Sequence, residues 1–149
     1  MRHIGCIALL LLAASLVGCE QTPEGTFELH WSINGDATPD ACSAADVTHV
    51  RVLVDNTRAD TDDDPLNPAW HYEDFACDQS TGSMILEEGI YRVRIVAIRD
   101  AAEVRSQVVE LLDVQVIDGE TTSVPVNPAM EPPLDIEVPV CGDGVMQAG

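Results

Sequence analysis

Asp60-Thr-Asp-Asp-Asp64 is the stretch of this chain best suited to chemistry, because hard oxygen ligands gathered on a polar segment can hold Ca2+. Asp60, Asp62 and Asp64 would be the ligands. The neighbouring residues weigh against a built site: the segment has no turn glycine, Pro65 follows the last acid, and no glutamate stands at the closing distance. A solvated acidic loop competes with a calcium loop. Trp70 and Tyr72, a little downstream, are the second candidate, an aromatic platform on which a sugar ring could stack. Trp31 could belong to it. The chain has only two tryptophans, two tyrosines and two phenylalanines, so a core competes for the same rings.

Other chemistries find less support. His30, His49 and His71 fall on separate elements, and a zinc site would need them to converge with a second shell. No Gly-x-Ser-x-Gly elbow is present for a serine nucleophile. Paired carboxylates carry no information in a chain with 26 acids, where some pair is close by chance. The expectation is a protein that is not an enzyme and has no cofactor, apart from Ca2+ if the acidic loop is a site.

The cysteines are more specific. Residues 7–17 are a short apolar run behind Arg2, too short to span a bilayer as a helix, and they end in small residues as an export signal does. Leu16-Val17-Gly18-Cys19 resembles the bacterial lipobox. That resemblance implies that the leader 1–18 is removed and that Cys19 is acylated and becomes the first residue of the mature chain. Two or more acyl chains anchor durably, at about 0.8 kcal/mol per buried methylene. The partner would be a membrane, met through the lipid rather than by a span. Glu20 stands where an inner-membrane retention signal of enteric bacteria would have Asp, which points to the outer membrane. In such an oxidising compartment Cys42, Cys77 and Cys141 remain. Pairing Cys42 with Cys77 would close a loop of roughly 36 residues, worth about 3 to 4 kcal/mol in the chain-entropy model, with Cys141 left over.

Charge narrows the partners. The formal net charge is −19, with seven arginines and no lysine, and losing Arg2 with the leader makes the mature chain more acidic still. Nucleic acid and anionic headgroups are repelled by that field. A protein or glycan partner at the cell surface remains open.

The elements that must position these groups are strands. Phe27, Leu29, Trp31 and Ile33 alternate with polar residues, as do Val50, Val52 and Val54. Residues 70–77 predict a third strand, 84–86 a short fourth, and 92–99 a central strand covered on both faces, since Val96 and Ile98 are apolar between Val93, Ile95 and Ala97. Residues 104–116 give one or two more, Asp118-Gly119 reads as a hairpin turn, and 121–126 are the last. About seven short strands and no convincing helix predict an all-β, antiparallel sandwich.

Leu86-Glu87-Glu88-Gly89-Ile90-Tyr91 resembles the corner of immunoglobulin-like and transthyretin-like sandwiches, which implies a Tyr91 hydroxyl bonded back to nearby backbone. Cys141-Gly-Asp-Gly resembles the opening of a cysteine-rich repeat on surface proteins of myxobacteria and their relatives, cut short here. Trp31, Cys42, Cys77, the Tyr91 corner and the closing Thr121-Thr122-Ser123-Val124 together resemble uncharacterised lipoproteins of those bacteria. The expected organisation is therefore a signal peptide 1–18, a tether 19–25, a sandwich 26–127, and a proline-rich linker with a truncated repeat 128–149. The expected function is a non-catalytic binding, adhesion or assembly module on the cell envelope, with a calcium- or carbohydrate-binding sandwich module as the alternative and a periplasmic hydrolase as the third reading.

Overall fold

The computed structural model describes residues 22–55, 70–100, 103–125 and 131–139. Among these residues nine strands form two sheets packed face to face, and the protein is an all-β sandwich. β1 (Glu24–Ile33) buries Phe27, Leu29, Trp31 and Ile33 between the sheets, as its alternation requires. A short helix, α1 (Pro39–Ala44), then leads across to β2 (His49–Asp55), whose Val50, Val52 and Val54 face the same core. β3 (His71–Ala76) pairs antiparallel with β2, and a 3-10 turn (Cys77–Gln79) returns the chain to the first sheet as β4 (Thr81–Glu87).

β5 (Gly89–Arg99) is the central strand of the second sheet, flanked by β2 on one side and by β6 (Glu103–Val104) and β7 (Val109–Val116) on the other. Val96 and Ile98 are buried on the face away from the core, as the continuous apolar run predicts. β8 (Thr121–Val124) and β9 (Leu134–Ile136) complete the first sheet against β1.

Several features differ from the sequence reading. Residues 39–44 are helical: Pro39 starts the helix, where its missing N–H costs nothing, and Asp40 lies in the first turn. Six residues are too few to show a helical period. β8 and β9 run parallel to β1, so the first sheet is mixed rather than purely antiparallel. The Asp118-Gly119 turn forms, with Glu120 N–H donating to the Ile117 carbonyl at 3.1 Å, yet the strands it joins lie in opposite sheets. Gly25 explains the close fit there, since a Cβ on it would sit 2.3 Å from the Ile117 oxygen.

The proline-rich stretch also contributes to the sandwich. β9 lies within it, and Ile136 and Val138 are buried in the main core. The apolar residues are spaced by two across Leu134, Ile136 and Val138, a short alternation hidden by the flanking prolines.

Chain crossings fix the sandwich at both poles. The Cys42–Cys77 disulfide forms, joining α1 to the 3-10 turn at the far end of β1. Beside it, Trp31 Nε1–H donates to the Cys77 carbonyl at 3.2 Å and its ring packs at 6.2 Å from Phe75. Phe75 in turn lies flat on Gly82, where a Cβ would come within 2.5 Å of the ring. At the other pole the Tyr91 hydroxyl donates to the Glu87 carbonyl at 2.8 Å, the corner that the sequence resemblance implies. Burial, with a smaller push from the Glu87 carboxylate, holds the Tyr91 phenol above the ordinary tyrosine range.

Candidate functional site

The polar chemistry of the described chain concentrates on the outer face of the second sheet. Alternation sends Val50, Val52 and Val54 inward, so Arg51 and Leu53 of β2 point outward. The register places Asp74 beside Arg51 and Tyr72 beside Leu53 on β3, and Arg94 beside Leu53 on β5. Glu110 of β7 lies next to Arg94.

These residues form two linked groups. Arg51 grips Asp74 through both ends of its guanidinium, Nε to Oδ1 at 2.7 Å and the terminal nitrogen to Oδ2 at 2.8 Å. Its guanidinium carbon also lies 4.4 Å from the centre of the Tyr72 ring. The Asp74 hydrogen bond, more than its charge or that of Tyr72, holds Arg51 above the ordinary arginine range against the opposing effect of burial. In the second group Arg94 sits 4.6 Å from the centre of the Trp70 ring and donates from Nε to Glu110 at 3.1 Å. Arg92 approaches the same carboxylate at 3.6 Å.

Between the groups, Leu53, Trp70, Val96 and Ile98 make a second, smaller hydrophobic cluster with Val104 against it. Arginine stems cover such surface while their heads remain in polar contact. A bidentate pair and two guanidinium–ring contacts fix the position of every ring on this face. The arrangement is a mixed-charge surface in which each arginine is held by an acid, a ring or both.

The residues singled out from sequence separate on this framework. Trp70 is only 4% exposed and lies beneath Arg94, whereas Tyr72 is 48% exposed with Arg51 on its ring. The two rings share a sheet face, but Tyr72 alone offers open surface. Trp31 is in the main core, on the other side of the sheet. Asp60, Asp62 and Asp64 lie outside the described residues, as do Cys19 and Cys141. The strand ends that bracket the acidic segment, Asp55 and Trp70, stand at the pole where β1 begins, since Asp55 pairs with Arg92 near the Tyr91 corner.

His30, His49 and His71 do not converge. His30 lies on the first sheet, 2.9 Å from Glu28, and His49 contacts Thr48 at 3.0 Å. Among the described residues no group of three or more His, Cys, Asp or Glu could hold a metal, and no helix is long and apolar enough to cross a membrane. Sequence reasoning missed Arg51, Asp74, Arg94 and Glu110. The outward positions carry Arg51 on β2 and Arg92 and Arg94, two apart, on β5, but which acid meets which arginine depends on register.

Comparison with known proteins adds no identity. No family model and no curated protein matches the chain. Among solved structures it is similar to a leucine-rich repeat protein from Bacteroides thetaiotaomicron VPI-5482, at 20% identity and a TM-score of 0.34. That match covers 80% of this chain and spans 14% of the other. A likeness this loose bears on neither fold nor function.

Proposed function

We propose that this protein is a lipid-anchored, non-catalytic binding module of the bacterial cell envelope, delivered to the outer membrane and held there through acylated Cys19. The observation that carries the reading is the anchor motif Leu16-Val17-Gly18-Cys19 set immediately before a folded domain. Residues 20–23 are all that separate the cysteine from β1, which starts at Glu24. Fully extended, such a tether reaches about 20 Å or less, so the domain rides close to the lipid. The Cys42–Cys77 disulfide supports an exported, oxidising location. The outer face of the second sheet, with exposed Tyr72 beside Arg51 and Asp74, is the surface offered to a protein or glycan partner.

The test is mass spectrometry of the N-terminal peptide after growth with a clickable palmitate analogue. The expected peptide starts at Cys19 and carries acyl chains, and Cys19→Ala releases the protein from membranes. An unmodified Cys19, or a leader still attached to soluble material, would defeat the proposal. Calorimetric titration with Ca2+ and with an oligosaccharide panel addresses the alternative module. Heat on Ca2+ addition that vanishes in Asp60→Asn, Asp62→Asn and Asp64→Asn combined would make it a calcium-binding domain instead.

A further inference from the structure

The strand that leads out of the tether is also the strand against which the last described strand closes. β1 runs from the tether pole to the opposite pole, and β9 lies parallel to it with Trp31 beside Leu134, Ser32 beside Asp135 and Ile33 beside Ile136. The chain therefore enters at one pole and reaches Pro139 at the other, about 30 Å away for a strand of this length. We infer that the sandwich is a load-bearing spacer, which carries tension between its two ends by loading β1 in shear against β4, β8 and β9. Its use on the cell, between the membrane and whatever grips the chain beyond Pro139, rests on the anchored reading above.

The mechanical argument follows from pairing direction. A pull along β1 acts at right angles to its ladder of hydrogen bonds, so all of them are strained together. A pull across a strand end opens them singly. β1 pairs with β4 from Glu24 to His30 on one edge. On the other edge β8 and β9 follow one another: Thr26 N–H donates to Glu120 and Asn34 N–H to Ile136, whereas Trp31 N–H points the opposite way, to Ser80. Both edges of the pulled strand are thus held.

The C-terminal end is fastened to β1 beyond its backbone ladder. The Asp135 Oδ1 accepts from Ser32 Oγ at 3.1 Å and from Gly35 N–H at 2.6 Å. Val138 N–H donates to the Asn34 side-chain oxygen at 2.8 Å, and Ile136 and Val138 are buried. These bonds pass a pull at Pro139 into β1 instead of letting β9 peel. Should β9 yield, β8 ends at Val124 beside Leu29, also parallel to β1, and meets the load in the same shearing geometry.

Single-molecule force spectroscopy tests this on the full mature chain, kept in detergent, with one handle clicked to Gln21→azidophenylalanine in the tether and an enzymatic ligation handle at the C-terminus. The reference geometry moves the second handle to Glu88→azidophenylalanine. Glu88 follows β4 at the tether pole, bonded to Pro23, so pulling there unzips β1 from antiparallel β4. The end-to-end rupture force is expected to be several-fold the unzipping force. Asp135→Ala is expected to lower the first and leave the second unchanged. Equal forces in the two geometries, or an Asp135→Ala effect of the same size in both, would overturn the inference. Failure here is distinct from failure of the anchor: an unacylated chain that retains the force difference refutes the membrane reading alone, and an acylated chain without it refutes the clamp.

Discussion

The two sheets of this sandwich share one core but treat their outer faces in opposite ways. β1, β4, β8 and β9 contain no arginine, and the outward positions of β1 and β4 hold residues such as Glu28, His30, Ser83 and Ile85, the last 70% exposed. The second sheet carries Arg51, Arg92 and Arg94 outward, paired with acids or stacked on rings over a second buried cluster. A strand with one covered face can place almost any polar residue outside. A strand whose outer face is also covered must satisfy every charge it places there. The first sheet is thus a simple lid on the core, stiff along β1, and the second is a two-sided layer whose outer surface is fixed residue by residue.

Substitutions can break that comparison. Leu53→Ala, at an outward position of the second sheet only 1% exposed, is expected to destabilise by about 2 to 5 kcal/mol. Urea unfolding gives the value. A loss below about 1 kcal/mol would mean that the outer cluster is loose surface and that the two sheets are alike. Asp74→Ala leaves the nearly buried Arg51 without its bidentate partner, and about 1 to 3 kcal/mol is expected. In the same variant Tyr72 fluorescence should change as the guanidinium leaves its ring. An unaltered spectrum and stability would show that the ladder does not hold this face together.

The Tyr91 corner, where the sheets meet, gives a smaller, pH-dependent effect. The fold holds the Tyr91 proton more tightly than the unfolded chain does, so its contribution is complete below the ordinary phenol value of about 10 and is lost as the pH rises through the folded value. Wild type should lose stability above about pH 10 more steeply than Tyr91→Phe. Parallel curves would sink this assignment. Ile85→Ser is expected to change stability least, within about 0.5 kcal/mol, because its side chain lies in water on the lid sheet. A larger loss would reveal an unrecognised contact there.

Much of the fold could be read from residue types. The alternations in β1 and β2 and the doubly apolar β5 predict two-layer β structure because side-chain period and burial are local properties of a strand. The Tyr91 corner follows from a short motif for the same reason. The outer face was largely hidden. Trp70 and Tyr72 attract attention as rings, but burial of one and exposure of the other depend on Arg94 and Arg51 from different strands. Ile136 and Val138 were obscured by neighbouring prolines, although their spacing of two is what β9 requires.

The sequence by itself determined that the chain forms strands, which residues of β1, β2 and β5 line the core, and that Cys42 and Cys77 are available to each other. These depend on periodicity, composition and the count of partners. Only the tertiary structure decided that β8 and β9 run parallel to β1, that the Asp118-Gly119 turn switches sheets, and that Arg51 meets Asp74 while Arg94 meets Glu110. Strand direction and register are set by contacts between residues far apart in the chain. A local pattern, identical for a parallel and an antiparallel neighbour, does not encode them.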